Sequence, residues 1–429
     1  METIALLSLL LFAGEMKATP EEMMNPIAES YVKLVLAVGL HDDDYVDAYF
    51  GPEEWRAAAR KEAKSLQEIK AEASLLVTKL ANISTSSAEE IVHLRREFLL
   101  KQMQSLIARV DLLSGVKMPF DEESKALYDA VAPSFGEDHF EKIIEQLDAL
   151  LPGEGPLSER YESLRHNFVV PQEKIDSVLR AAIEECRKRT KQHIELEPNE
   201  SFEVEYVTGK PWGGYNWYKG NSHSLIQINV ELPVYIDQVL PLVSHEGYPG
   251  HHVYNALLES ELLRKRNWIE FSVYPLFSPE SLIAEGSADF GMEVLFSDQE
   301  RVVFESEVLL PLAGIDPKDA PPDFRLRKLM RQLKYVRVEV ARRYLDGLLT
   351  REQATHWIQR YALEPQERAE RSLRFIEQYR SYTINYAYGE DLVRHHIESR
   401  GGTADQPEKR WQEFTHLLAS PRLPSGLQP

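Results

Sequence analysis

Apolar residues recur every three or four positions along most of this chain, and that rhythm commits it to helices. In AEEIVHLRREFLLKQMQSLIARVDLLSG (88–115) the spacing lines one side of a helix with Leu, Ile, Val and Phe. The same texture runs from about Pro26 to Leu151 and predicts an all-helical N-terminal region; it resumes from Ile236 onward. Between them the period changes. FEVEYVT (202–208), WGGYNWYKGN (212–221) and HSLIQINVEL (223–232) read as β, with apolar and polar residues alternating in SLIQINV. The expected fold class is therefore mainly α: a large two-lobed helical fold with a small antiparallel β-sheet. Pro and Gly concentrate in LPGEGPLSERYESLRHNFVVP (151–171), which marks the boundary between lobes, and QEKIDSVLRAAIEECRKRTKQHI reads as one long helix after it. This divides the chain into an extension at 1–23, an N-terminal helical lobe at 24–160 and a second lobe at 161–429.

Charge removes some functions. Sixty-nine acidic residues against forty-nine basic ones leave a formal charge of −20, which repels phosphate backbones and acidic membrane surfaces, so neither nucleic acid nor membrane is an expected partner. The single cysteine, Cys186, excludes an internal disulfide, so nothing in the thiol count requires an oxidising compartment, and a cytoplasmic location is the expectation. METIALLSLLLF (1–12) has the apolar length of a signal peptide but no preceding Lys or Arg, and no small-x-small cleavage pattern follows it. The run is too short to span a bilayer, and reads as an apolar helix end; if residues 1–16 were a signal, a periplasmic or secreted location would follow. HDDDYVD (41–47) lacks the alternating acids and the Gly of a calcium loop, and reads as a turn and helix cap. In FRLRKLMRQLKYVRVEVARRY (324–344), Leu329, Leu333, Val336, Val340 and Tyr344 form an apolar stripe. The basic residues on its other faces are expected to be solvated or paired with acids, the alternative being a hold on a substrate carboxylate.

The stretch SHEGYPGHHVYN (244–255) carries chemistry. Zinc hydrolases present H-E-x-x-H on a helix, where residues i and i+4 lie about 40° apart and two imidazoles converge on one ion. Here the fourth residue after His245 is Pro249, and His251 is six positions on, on nearly the opposite face of an unbroken helix. Pro249 cannot give an N–H to the His245 carbonyl and collides with it, so the helix must open; Gly250 lets extra residues loop out. If Pro-Gly is absorbed as a bulge, His251 arrives where the second histidine belongs. His252 returns to the first face but about 10 Å along it, and ranks second as a ligand. Forty residues downstream, SLIAEGSADFG (281–291) carries Glu285 and Asp289 one helical turn apart. Catalytic zinc takes three protein ligands and an open position, and His-His-Glu is a recurring set. Asp289 is placed to accept the free ring N–H of a ligating histidine. Ala284, Gly286, Ser287 and Ala288 would let this helix pack close to the first.

HEGYPGHH followed by AEGSADFG resembles the bacterial family known as domain of unknown function 885, with its signature H-E-x-x-P-G-H and a downstream E-G-x-A. It also resembles the widened motif H-E-x-x-G-H of the dipeptidyl peptidase III family. The resemblance implies a gluzincin-type zinc peptidase: His245, His251 and Glu285 as ligands of Zn2+, Glu246 as general base, and Asp289 supporting the first histidine. The sheet would belong to a gluzincin-like catalytic lobe at 161–429. A late Tyr-x-x-Gly element is matched by Tyr386 and Gly389 in SYTINYAYGEDLVRHH, which implies Tyr386 as donor to the oxyanion, with Tyr388 as rival. Gluzincins present an edge strand to an extended peptide; SLIQINV stands in that place, with Asn229 as a candidate for binding the substrate backbone. The expected function is hydrolysis of short peptides. The alternatives are a zinc hydrolase of another amide or ester, and a non-catalytic helical scaffold with a structural or vestigial metal site.

Overall fold

Thr19 and Glu22 exchange side-chain and backbone hydrogen bonds in a capping box, and Pro20 follows at the first helical position, so the chain enters helix α1 (Pro20–Val38) with its free N–H groups answered. The computed structural model describes residues 18–210, 212–316, 318 and 324–428; the apolar run at 1–12 lies outside them. Helix α1 buries Met24, Ile27, Ala28, Tyr31, Val32 and Val35 against α2 (Glu90–Leu113) and the helix Leu66–Ala81. The face that α2 turns inward, Phe98, Leu99, Met103 and Leu106, is the one its sequence period marks.

That face also carries Arg95, whose Nε and Nη2 donate to the two oxygens of Glu270 at 2.6 and 3.0 Å, with both side chains wholly buried. Its guanidinium lies over the Trp268 ring, 4.7 Å from the centroid. Gln102 donates to Glu280, and Ser105 to the Phe277 carbonyl at 2.9 Å. Strand β1 (Val46–Tyr49) pairs antiparallel with a strand from the same later region. The N-terminal helices are thus bonded directly to residues 268–280. The apolar core is one cluster running from Met24 to Leu427, continuous across the boundary that the Pro-Gly stretch suggested at 160.

The second sheet contains β2 (Ser201–Val207), β3 (Gly214–Gly220) and β4 (His223–Asn229) in the order β2-β4-β3. Asn221 and Ser222 both take positive φ, 55° and 56°, as a two-residue hairpin turn requires, and fold β4 back along β3. Strand β4 also pairs with β2, in parallel, so the sheet is mixed where an antiparallel one was expected. The connection from β2 to β3 leaves a slot into which β4 inserts. Strand β4 is therefore central, and the expectation that SLIQINV forms an edge is corrected: the edges are β2 and β3.

Four helices follow that matter to the site: α3 (Ile236–Glu246), α4 (His251–Leu258), α5 (Pro279–Leu295) and, near the C-terminus, α6 (Ile384–Ser399). Between α4 and α5 lies β5 (Val273–Pro275), the partner of β1. Helix α5 is enclosed on nearly every side. It crosses α6 at Gly286 and Gly389, where a Cβ on Gly286 would stand 2.3 Å from the Gly389 carbonyl carbon. Gly286 thus admits α6, while α5 also packs against α3, the first metal helix, as its small residues suggested. The basic stripe is paired: Arg327 with Glu305, Arg331 and Lys334 with Glu390, Arg337 with Glu364, and Arg342 with Asp121. The fold is mainly α, and no helix among the described residues is long and apolar enough to cross a membrane.

Candidate metal centre

Pro249 opens the helix, as its missing N–H demands, and does so completely: α3 stops at Glu246 and α4 starts at His251. The bulge expected within one helix is a break between two. Across the break the Gly250 N–H donates to the Ser244 carbonyl at 2.9 Å. The chain passes so close to α3 that a Cβ on Gly250 would lie 1.9 Å from the His245 carbonyl oxygen. Glycine is required here for approach to backbone. On the far side Pro249 packs beneath Gly291 of α5.

This detour brings two imidazoles together edge to face, their planes at 89°. Nε2 of His245 and Nε2 of His251 are 3.1 Å apart. Oε2 of Glu285, from α5, is 3.1 Å from the first and 3.7 Å from the second. Ligand atoms on a tetrahedral zinc, at bond lengths of about 2.0–2.1 Å, stand about 3.3–3.4 Å from one another. The triangle matches that size, and the two-nitrogen, one-oxygen donor set suits zinc and several neighbouring metals. The Glu285 oxygen aimed into the triangle is buried without a hydrogen-bond partner, whereas Oε1 accepts from the Tyr382 hydroxyl at 2.6 Å. His245 Nδ1 is bonded to Asp289 at 2.8 Å, the carboxylate one turn beyond Glu285 on α5. Burial lowers the His245 pKa, but Asp289 and Glu285 outweigh it and hold it well above the ordinary value. Burial raises Glu285, and His251 and His245 outweigh that in turn, holding it below the usual carboxylate range. The cluster stabilises positive charge at its centre.

His252 takes no part. It is fully buried between Ser224 of β4, at 2.8 Å, and Glu200, which also accepts from the Tyr248 hydroxyl at 2.6 Å. Its place is in the joint between α4 and the sheet, and burial lowers its pKa despite Glu200.

Glu246 ends α3 beside the triangle, and its Oε2 is likewise buried without a partner. Asn216 of β3 donates to its backbone carbonyl at 2.7 Å, and β3 can run this close because residue 214 is glycine: a Cβ there would lie 2.9 Å from Glu246 Oε1. Burial pushes the carboxyl up, and His245 and His251 pull it back. Triangle and base open into a cleft. Trp212, Gly214, Tyr215 and Asn216 form one wall, so the Gly-aromatic segment does more than turn the chain. Tyr274, Phe375, Tyr379, Tyr382 and Tyr386 make the aromatic remainder. The Tyr386 ring lies nearly parallel to His245, 6.3 Å between centroids; Tyr388 does not line the cleft.

Asn229 is placed elsewhere. Its amide donates to the carbonyls of Lys210 and Trp212 at 3.0 Å and accepts from the Glu231 N–H at 3.0 Å, so it ties down the loop before β3. The strand beside the site is β3, and its side-chain amide is Asn216. Two further groups went unpredicted. Tyr382 is four residues before Tyr386, a spacing that could have suggested a shared helical face. Asp47 comes from β1, and no local pattern distinguishes it from the acids around it; in the cleft it accepts a hydrogen bond from Tyr215. Burial pushes Asp47 up to about 6, against the Tyr215 bond and the His251 charge.

No protein-family model and no curated protein matches this chain. Among solved structures it is similar to a protein of Colwellia psychrerythraea described as a "putative lipoprotein", with a TM-score of 0.53 and 17% identity over 96% of this chain and 76% of that one. At that identity the likeness concerns the fold.

Proposed function

We propose that this chain is a zinc-dependent peptidase acting on short peptides, with Glu246 as the general base. The observation that carries the reading is the triangle of His245, His251 and Glu285 with the unpartnered Glu246 carboxylate beside it. A zinc ion held by those three residues would supply a Lewis acid for the scissile carbonyl and lower the pKa of water in the site. Glu246 accepts the proton of the attacking water through Oε2 and returns it to the leaving amine nitrogen. Asp289 fixes the His245 tautomer so that Nε2 faces the centre, and Tyr382 occupies one Glu285 oxygen and leaves the other for the ion. Tyr386 donates to the oxygen on which negative charge develops. The triangle and Glu246 lie in a cleft walled by β3 and aromatic side chains, which suits an extended peptide segment rather than a folded surface. A cytoplasmic location belongs to the same reading, in which the lone Cys186 requires no oxidising compartment.

The test is the metal content, by inductively coupled plasma mass spectrometry, of protein purified without chelators or a histidine tag, followed by a short-peptide screen. About one zinc per chain and cleavage that Glu246→Gln abolishes are expected. A chain that stays metal-free when zinc is supplied leaves the scaffold reading; full activity in Glu246→Gln removes the mechanism. Zinc binding with turnover of only non-peptide amides or esters transfers the site to the other hydrolase class.

A further inference from the structure

The cleft contains an acid that the metal cluster and Glu246 do not use. Asp47 reaches it through an irregularity in β1. The pairing with β5 runs Val46 to Pro275, then Ala48 to Tyr274 and Tyr49 to Val273, so β1 has one residue too many between Val46 and Ala48. That residue is Asp47, and a bulge of this kind re-aims a side chain that a regular strand would align with its neighbours. The Tyr215 hydroxyl holds the carboxylate from β3. The charge of Asp47 is felt by Tyr274 and Tyr379, which line the same cleft. A carboxylate among aromatic rings is the arrangement that receives an ammonium or guanidinium group, the rings adding their negative faces. No described residue lining the cleft is Lys or Arg, while Asp47, Glu246 and Glu285 all are acids. A substrate carboxylate finds no Lys or Arg to pair with there.

From this placement we infer that Asp47, with Tyr215, forms a subsite for a positively charged group of the peptide, either its free amino terminus or a basic side chain next to the cleaved bond. The inference rests on the peptidase reading for its substrate. It makes Asp47 a specificity-determining residue and sets the cleft against recognising a peptide by its carboxyl terminus.

Isothermal titration calorimetry on the full-length Glu246→Gln chain, supplied with zinc, tests this with C-amidated tetra-alanine, its N-acetylated form, and N-acetylated peptides carrying Lys or norleucine. One charged member should bind about tenfold more tightly than its neutral counterpart. The acetylation pair identifies the amino terminus and the Lys–norleucine pair a side chain. Asp47→Asn should erase the preference and leave the zinc content unchanged. Equal binding of charged and neutral peptides, no binding by any of them, or a preference that survives Asp47→Asn overturns the subsite. The charged-against-neutral comparison needs no change at residue 47, so a poorly folding variant leaves it intact. Cleavage by the wild-type chain is scored separately: a charge preference without cleavage removes the peptidase reading alone, and cleavage without preference removes the subsite alone.

Discussion

Gly250→Ala should disassemble the metal centre through backbone geometry alone. The added Cβ would stand 1.9 Å from the His245 carbonyl oxygen and 2.4 Å from that of Ser244, and contacts under 3.0 Å are not tolerated. Neither obstacle is a flexible side-chain end. The chain at 250 must therefore withdraw from α3 by about 1.1 Å to restore the closer contact. The bond from the Gly250 N–H to Ser244 stretches with it, at a cost of about 1 kcal/mol, and overpacking adds about 1–3 kcal/mol. His251 begins the next helix, so the displacement is passed to its ring. Metal sites tolerate errors of about 0.2 Å in ligand position, and the 3.1 Å between the two Nε2 atoms is expected to open beyond that. Zinc affinity should fall at least about 100-fold, measured by competition with a chromogenic chelator, and urea unfolding should show a loss of about 2–4 kcal/mol. Gly136→Ala is the control, because a Cβ there meets nothing within 4 Å. A folded Gly250→Ala chain with wild-type zinc affinity and stability would refute the reasoning.

Tyr386→Phe should lower kcat by about 100- to 1000-fold with zinc content unchanged, and undiminished turnover of a peptide substrate would remove Tyr386 from the chemistry. Glu280, buried and pushed up to about 8, should make stability depend on pH. The unfolded chain ionises this group near 4.5 while the native state keeps the proton to about 8, so stability falls as pH rises between those values, by at most about 5 kcal/mol. Glu280→Gln should gain on the wild type from pH 5 to pH 8.5 in denaturant unfolding; a gap that stays flat across that range counts against it. Arg95→Met leaves Glu270 buried without its partner, and should cost about 3–5 kcal/mol; the double variant Arg95→Met/Glu270→Met should recover most of the loss, and a double variant as unstable as the single one would contradict the pairing.

Patterns that close within a turn or two were legible in the sequence. The 3.6-residue rhythm marks α2 and its inward face, and Glu285 and Asp289, four apart on one helix, do lie together around His245. Pro249 opens the helix because its missing N–H is a local fact. The sequence ranked His251 above His252 by helix geometry, but only the fold decides it, through how far the Pro-Gly detour carries the chain and through Ser224 and Glu200 claiming the second ring. Alternation in SLIQINV marks a strand but not its neighbours, so β4 passed for an edge and Asn229 for a substrate contact.

The sequence by itself determined a mainly helical chain, a broken helix with a histidine on either side of the break, and a helix bearing two carboxylates one turn apart. Each follows from backbone rules that act over a few residues. Only the tertiary structure decided that these pieces meet, that α5 and α6 cross at Gly286 and Gly389, that Tyr382 braces Glu285, and that Asp47 arrives from a bulge in β1. Those are contacts between residues from 44 to 168 apart in the chain, and they are set by how buried surfaces fit, which no local period records.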